Sequence, residues 1–301
     1  MALFFDLELA LFIRYLDTLS KITLYSVLKW RKIIPFFCST YSDREVAFCY
    51  TDSMKPSADY TVLFADDSLV ALNKRSGILI AQDRYDPEAP RLDVAAKEEF
   101  GELYAVHRLD KDTSGVVIYA RTQEAHKNLC MQFEKREVHK TYHCLVNGHP
   151  MWQTLHVDLK LLPDGDARHR TVVNKRQGKI SITDFTNLGS CGPYTWIKAE
   201  PKTGRTHQIR AHLQANGLGI VCDPLYSGNQ KPVKLSDIKR RYNGDTFEER
   251  PLLSRLALHA YQLEITHPVT GERVTFTAPY PKDMEAVRKQ LAKIFKVDPL
   301  A

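Results

Sequence analysis

The 301-residue chain has little cysteine, and its six cysteines are scattered without any Cys-x-x-Cys pair. A chain of this length can bury a sizeable core without covalent cross-links. We therefore expect reduced thiols and a cytoplasmic protein, and a disulfide-stapled secreted fold is excluded.

Signatures of metals and nucleotide cofactors are also missing. There is no Gly-x-Gly-x-x-Gly after a strand and no phosphate-binding Gly-x-x-x-x-Gly-Lys loop, and Ser114 lies outside any Gly-x-Ser-x-Gly elbow. His207 and His212 are five residues apart, whereas a spacing of four places two imidazoles on one helix face. We expect no metal and no cofactor.

A long uncharged hydrophobic run is absent as well. Residues 1–30 are rich in Leu, Phe and Ile, but charged residues interrupt them, so they make a poor membrane span. They also lack the basic start of a secretory signal. Two interpretations stay open for residues 1–53: a helical segment packed on the main body, or a stretch preceding a native start at Met54. We treat them as an atypical hydrophobic extension of a domain spanning 54–301.

The remaining sequence predicts an α+β domain. Strand-like runs outnumber helical ones and do not alternate with them, which favours a large, mostly antiparallel sheet. Thr122 is a good N-cap for one helix. The pair Asp66–Asp67 predicts a turn between two strands, and "RLDVAAKEEFG" predicts a short helix that ends at Gly101. The stretch "GRTHQIRAHLQANG" predicts another, capped by Thr206 and ended by Gly217, and three of its side chains share a face that could line a cleft. These are His207, Arg210 and Gln214.

The stretch "YAVHRLDKDTSGVVIYA", residues 104–120, places Arg108 and Asp110 between two strand-like runs. Taken alone, it is more typical of a charged hairpin than of a site. Elsewhere, Tyr142 lies on a predicted strand and Arg210 on the polar face of a predicted helix. A carboxylate can act as nucleophile or base, an arginine can orient it, and a tyrosine can stack on an aromatic base.

Three motifs together carry a resemblance. "HRLDKDTSG", "KTYHCLV" and "GRTHQIRAHL…CDPLYSG…RLALHAYQLEITHP" closely resemble the RluA-type family of RNA pseudouridine synthases, in order and over residues 60–285. The resemblance implies a pseudouridine-synthase-like α+β fold, with a large mostly antiparallel mixed sheet flanked by helices and a central RNA-binding cleft. It also implies isomerisation of uridines in structured ribosomal or transfer RNA to pseudouridine.

The resemblance assigns roles to four residues. Asp110 matches the catalytic carboxylate, Tyr142 the residue that stacks on the target uracil, and Arg210 the basic partner of the carboxylate. Arg108 matches the residue that fills the gap left by the flipped nucleotide. Whether the carboxylate attacks the sugar or removes its 2′ proton stays open. An RNA-folding chaperone of the same fold without catalysis, or an unrelated hydrolytic protein, are the alternatives.

A net charge of +6 is compatible with a polyanionic partner. The candidate phosphate contacts lie in one basic loop, which could equally be an ordinary solvated loop; they are Arg168, Arg170, Lys175, Arg176 and Lys179. The run 239–241 is a further candidate. Residues 1–59 show no S4-type RNA-binding pattern. We expect a monomer that binds structured RNA and no membrane.

Overall fold

The computed structural model describes residues 57–82, 88–228 and 231–301. The predicted extension, residues 1–53, lies outside them, so the domain division at residue 54 stays a prediction. Within the described ranges, no helix is both long and apolar enough to cross a membrane. Cys130, Cys144, Cys191 and Cys222 are free thiols.

Eleven strands and five helices make up the described part of the chain. The strands are β1 Tyr60–Ala65, β2 Leu69–Lys74, β3 Tyr104–Ala105, β4 Ser114–Ala120, β5 His139–Asn147, β6 Thr154–Leu162, β7 Val172–Val173, β8 Lys179–Cys191, β9 Tyr194–Pro201, β10 Leu258–Thr266 and β11 Arg273–Thr277. The helices are α1 Leu92–Phe100, α2 Gln123–Glu134, α3 Gln208–Ala215, α4 Leu235–Ile238 and α5 Lys282–Phe295.

All the strands join one sheet, in the order β1-β2-β4-β10-β5-β9-β8-β6-β7, with β3 paired to β4 and β11 to β10. The pairing of β10 with β4 is parallel, and the other pairings are antiparallel. The predicted α+β class with a mostly antiparallel mixed sheet is confirmed. Strands β4, β10 and β5 occupy the middle of the sheet.

Helices cover the sheet where its side chains are apolar. On the β1–β2–β4 half, one face packs Leu72 and Val117 against Leu92 of α1, and the other packs Ile118 against Leu129 of α2. On the β5–β9–β8 half, Trp196 shares its apolar cluster with residues of α3 and α5. Strand β4 is buried along its whole length because both of its faces are covered.

Local signals set several element boundaries as predicted. Asp66 accepts hydrogen bonds from the backbone N–H groups of Ser68 and Leu69 and so closes the turn between β1 and β2. Thr122 accepts from the Ala125 N–H and caps α2. Helix α1 ends at Gly101, which has a φ of 75° that favours glycine.

Two boundary predictions are wrong. Helix α3 begins after His207, which has a left-handed φ of 54°, and not after a Thr206 cap. The Thr206 carbonyl instead accepts from the Thr171 hydroxyl, and the Gln208 side chain accepts from the Arg205 N–H. The run "LYAVHR" forms only the two-residue strand β3, because residues 106–113 leave the sheet as a loop.

Candidate active site

A cavity of about 550 Å³ opens beside the middle of the sheet. It is lined by the loop of residues 106–113, here called the Asp110 loop, by β5, and by the segment from Pro201 into the start of α3. Phe133 and Arg136, from the end of α2 and the turn after it, complete the wall. The three motifs quoted from the sequence therefore meet in one place.

Leu109 fixes the orientation of the Asp110 loop. Its side chain is buried in the same apolar cluster as Leu72 and Val117. Arg108 is exposed and Asp110 is part-buried, and both line the cavity beside this anchor. The charged residues are thus presented to the cavity because the apolar residue between them is held in the core.

The buried Lys74 binds the backbone of the Asp110 loop and of the turn after β2. Its Nζ donates hydrogen bonds to the carbonyl oxygens of Arg75, Ile78 and Lys111, at 3.0, 2.8 and 3.0 Å. An ammonium group has three N–H donors, so these acceptors satisfy it fully. These hydrogen bonds join the loop to the turn after β2, because Arg75 and Ile78 lie in that turn and Lys111 lies in the loop.

Burial lowers the pKa of Lys74 to about 7, while the carboxylates of Asp112 and Asp110 act in the opposite direction. The Ser76 hydroxyl also donates to the Asp112 carbonyl, at 2.7 Å. Lys74 was not among the site residues predicted from the sequence. A buried lysine was signalled by its place at the end of the mostly apolar run "LVALNK".

Tyr142 has room to face the cavity because its neighbours across the sheet are small. It pairs with Ala260 on β10 and with Ala199 on β9, and directly opposed residues project from the same face. Burial raises the pKa of the Tyr142 hydroxyl, and Asp110 raises it further. The ring therefore carries a neutral phenol beside the carboxylate.

Arg210 lies close to Asp110 but is held by a different carboxylate. Its Nε and Nη2 donate to the two carboxylate oxygens of Asp223, at 2.8 and 2.7 Å. The nearest approach to Asp110 joins Nη1 to Oδ2 at 3.9 Å. The predicted pairing of Arg210 with Asp110 is thus a secondary contact, and the bidentate partner is Asp223.

The Arg210–Asp223 pair is enclosed. The Arg210 side chain is 3% exposed and that of Asp223 is fully buried. Burial alone would lower the pKa of Arg210, but the hydrogen bonds and charge of Asp223 raise it overall. Oδ1 of Asp223 also accepts from the backbone N–H groups of Leu225 and Tyr226, so further hydrogen bonds stabilise the buried carboxylate.

Tyr226 packs against the guanidinium of Arg210, which lies 4.9 Å from the ring centroid. Its hydroxyl accepts from the Thr171 N–H at 2.7 Å and lies 3.1 Å from Nδ1 of His207. Asp223 and Tyr226 belong to the quoted motif "CDPLYSG", yet sequence reasoning assigned neither a role. The motif itself was the signal that could have found them.

Two histidines on the cavity wall are neutral. His107 stacks on Phe133 with ring centroids 4.8 Å apart, and its Nε2 accepts from the Ile118 N–H. Burial, with a smaller effect of Lys140, lowers its pKa to about 3. Burial also lowers the pKa of His207, against the effect of Asp110. His207 and Arg210 line the cavity as expected, but Gln214 is exposed outside it.

The predicted basic loop does not line the cavity. The Arg168 guanidinium donates to the Pro224 carbonyl, and that of Arg170 donates to Asp166 and to the Leu225 carbonyl. These two arginines therefore brace the segment that carries Asp223. The other three side chains of the set are exposed; they are Lys175, Arg176 and Lys179.

Groups of three or more His, Cys, Asp or Glu side chains that could hold a metal ion do not occur among the residues described. The carboxylate, phenol and guanidinium at the cavity are instead suited to binding a planar base and to acid–base or nucleophilic chemistry on it.

Comparison with known proteins identifies the family. Residues 68–215 match the family model described as RNA pseudouridylate synthase. The chain is 34% identical, over 76% of its length and 96% of the relative's, to the dual-specificity RNA pseudouridine synthase RluA of Haemophilus influenzae. It is 29% identical to the ribosomal large subunit pseudouridine synthase D of Zymomonas mobilis, over 76% of this chain and 72% of that one.

Solved structures agree with the sequence matches. The human RNA pseudouridylate synthase domain containing 4 superposes with a TM-score of 0.58 at 25% identity, covering 76% of this chain and 92% of that one. The human RNA pseudouridylate synthase domain containing 1 superposes with a TM-score of 0.57 at 24% identity, covering 76% of this chain and 87% of that one. The chain therefore belongs to the RNA pseudouridylate synthase family and is an enzyme of pseudouridine formation in RNA.

Proposed function

We propose that the enzyme isomerises specific uridines in structured ribosomal or transfer RNA, with Asp110, Tyr142 and Arg210 as its catalytic residues. The observation that carries this proposal is the meeting of these side chains in one cavity at the centre of the sheet. Relatives named for action on ribosomal RNA, or for dual specificity, support the substrate class.

A uridine in a stem or stacked loop must leave the stack to reach this cavity. Extruding a base costs a few kcal/mol, and a side chain that fills the gap recovers part of that cost. Arg108 is suited to this task because it is exposed and lines the cavity, and its planar guanidinium can stack between bases. Tyr142 then receives the extruded uracil on its ring.

Asp110 carries the chemistry in this proposal, acting on the ribose as nucleophile or as base. The N1–C1′ bond breaks, the uracil turns, and a C5–C1′ bond forms. C5 loses its proton and N1 ends with one, so the reaction balances without another reactant. Tyr142 is placed to relay protons as a neutral phenol: its oxygen takes up the C5 proton while its own hydroxyl proton passes to solvent. Arg210 maintains positive charge 3.9 Å from the carboxylate.

The exposed side chains of the basic loop serve as outer phosphate contacts in this account. Lys175, Arg176 and Lys179 are solvated, whereas Arg168 and Arg170 act mainly through the carbonyl groups they bind. Each phosphate contact adds to the salt dependence of RNA binding. A monomeric state and a cytoplasmic location remain predictions.

The test is tritium release from RNA labelled with [5-³H]uridine. The full chain should release tritium, and Asp110→Asn should release none while binding the same RNA within about threefold, because a neutral amide of the same size replaces one part-buried carboxylate. Full activity of Asp110→Asn would overturn the assignment. Binding without tritium release by the wild-type protein would favour the RNA-chaperone alternative.

A further inference from the structure

Four basic side chains from outside the Asp110 loop line the cavity, and the chemistry described above uses none of them. They come from the turn after α2, from β5 and from the segment after β9, and we call them the basic wall: Arg136, Lys140, Lys202 and Arg205. Their position inside the cavity distinguishes them from the exposed basic loop.

Lys140 lies beside the proposed seat of the uracil. It is two residues before Tyr142 on β5, so both side chains project from the same face, about 7 Å apart along the strand. Lys140 is part-buried, and among the described residues its Nζ makes one hydrogen bond, a 3.4 Å contact with the Thr203 carbonyl. An ammonium group has three donors, so Lys140 keeps donors free for a ligand in the cavity.

Arg205 is unsatisfied in the same way. Its Nε is buried and has no hydrogen-bond partner. Buried donors are almost always paired in folded proteins, so Arg205 lacks an acceptor that its guanidinium would otherwise have among the described residues. A ligand that pairs with this side chain must supply acceptor atoms, because a guanidinium has only donors.

The basic wall is poorly neutralised by the protein. Across the part of the chain that the structure describes, Arg136, Lys140 and Arg205 form no salt bridge, and Lys202 reaches only Asp184, at 3.4 Å. Glu134 also lines the cavity but lies more than 4 Å from each of these cations. Burial, then the charges of Arg136 and Lys202, lower the pKa of Lys140 to about 8.

We propose that Lys140 and Arg205, supported by Arg136 and Lys202, form a phosphate-binding site for the phosphodiester that adjoins the flipped uridine. This inference rests on the proposed function, since it places the uracil on Tyr142. A phosphodiester supplies both the negative charge and the acceptor oxygens that the wall lacks. The site would hold the backbone of the extruded nucleotide and contribute affinity and position, not bond making.

The experiment compares Lys140→Met and Arg205→Gln with the wild-type chain. Tritium release is measured on [5-³H]uridine-labelled total RNA from cells that lack the gene. Each variant should raise the apparent KM about tenfold with kcat changed less than about threefold, because a contact to a charged group is lost in both the ground and transition states. The slope of log Kd against log salt should fall by about one. Lys289→Met, at an exposed position on α5, is the matched control and should change neither quantity.

A second measurement needs no RNA. Inorganic phosphate should raise the Tm of the wild-type chain and of Lys289→Met, and it should raise that of Lys140→Met much less. A fall in kcat at unchanged KM, an unchanged salt slope, or an equal phosphate effect in Lys140→Met would each overturn the phosphate site. If the wild-type chain released no tritium, the proposed function would fail. The slope of log Kd against log salt and the effect of phosphate on Tm would still show whether the phosphate site exists.

Discussion

Arg210 and Asp223 illustrate how the candidate site is organised at the level of single residues. Their side chains are buried and joined by two short hydrogen bonds, so the guanidinium is fixed before any RNA binds. Tyr226 and the carbonyl-bound Arg170 hold the segment that carries Asp223. Asp110 thus faces a cation whose position is set by the core, which favours a preorganised site.

The buried pair leads to a stability prediction. Arg210→Met should lower the free energy of unfolding by about 3–5 kcal/mol, because it leaves the Asp223 carboxylate buried without its partner. The double variant Arg210→Met/Asp223→Asn should recover part of this loss, since no unpaired charge remains. Urea unfolding at pH 7 measures both.

The matched control is the exposed pair of Arg273 and Glu264. Arg273→Met should lower the free energy of unfolding by less than about 1 kcal/mol, because solvent screens this pair. If Arg210→Met cost no more than Arg273→Met, the Arg210–Asp223 pair would not be the rigid support described here.

Single residues were only partly predictable from the sequence. The motifs gave Asp110, Tyr142 and Arg210, and the structure brings all of them to one cavity. The identity of the main partner of Arg210 was not predictable, because it depends on how the chain folds back after α3. Charge pattern likewise could not separate Arg168 and Arg170, which bind carbonyl oxygens, from the solvated Lys175.

At the level of elements, one contact between β4 and β10 sets the geometry of the site. Gly115 follows the Asp110 loop and pairs with Ala260 of β10, which also pairs with Tyr142 of β5. Gly115 has a φ of 116°, and a Cβ there would lie 2.1 Å from the Ala260 carbonyl oxygen. The loop and the tyrosine are therefore aligned through one close approach of two strands.

Gly115→Ala should lower the free energy of unfolding by about 3 kcal/mol or more, since it combines a strained φ with a backbone clash. It should also reduce activity by displacing the Asp110 loop from Tyr142. Thermal or urea unfolding, together with tritium release, measures the two effects.

Gly101→Ala is the control for conformational strain alone. Gly101 has a φ of 75°, but a Cβ there would meet nothing within 4 Å. Gly101→Ala should lower the free energy of unfolding by about 1–2 kcal/mol, and activity should be retained. If both substitutions lowered the free energy of unfolding equally, the close approach of β4 and β10 at Gly115 would add nothing to stability.

Element boundaries followed the sequence where the signal was local. The Asp66 turn, the Thr122 cap and the Gly101 terminus each depend on neighbouring residues and were predicted. The Thr206 cap was wrong because a tertiary partner, Thr171, takes the Thr206 carbonyl and the chain turns through a left-handed His207.

For the whole molecule, buried histidines couple stability to pH. Burial lowers the pKa of His107 to about 3 and the pKa values of three others to about 4; these are His143, His212 and His259. Unfolding returns each to an ordinary pKa near 6.5. Between pH 6.5 and about 4 the unfolded chain therefore binds more protons than the folded chain, so stability falls as pH falls.

We expect the free energy of unfolding to decrease by about 2–2.5 kcal/mol for each such histidine between pH 7 and pH 4.5. Urea titrations at several pH values measure the slope. His212→Gln should lower the number of protons taken up on unfolding in this pH range by about one. A stability independent of pH in this range would contradict the neutral buried state of these side chains.

The fold class was predictable from the sequence because strand-like runs dominate and do not alternate with helices. The strand order was not, since the parallel meeting of β4 and β10 joins segments that are more than a hundred residues apart.

The central claim is that this enzyme forms pseudouridine through Asp110. Its most direct test is pseudouridine mapping of total RNA from cells that lack the gene, complemented with the wild-type chain or with Asp110→Asn at equal protein level. We predict that one or a few ribosomal or transfer RNA sites are lost on deletion, restored by the wild-type chain, and left unmodified with Asp110→Asn. Restoration of those sites by Asp110→Asn would contradict the account.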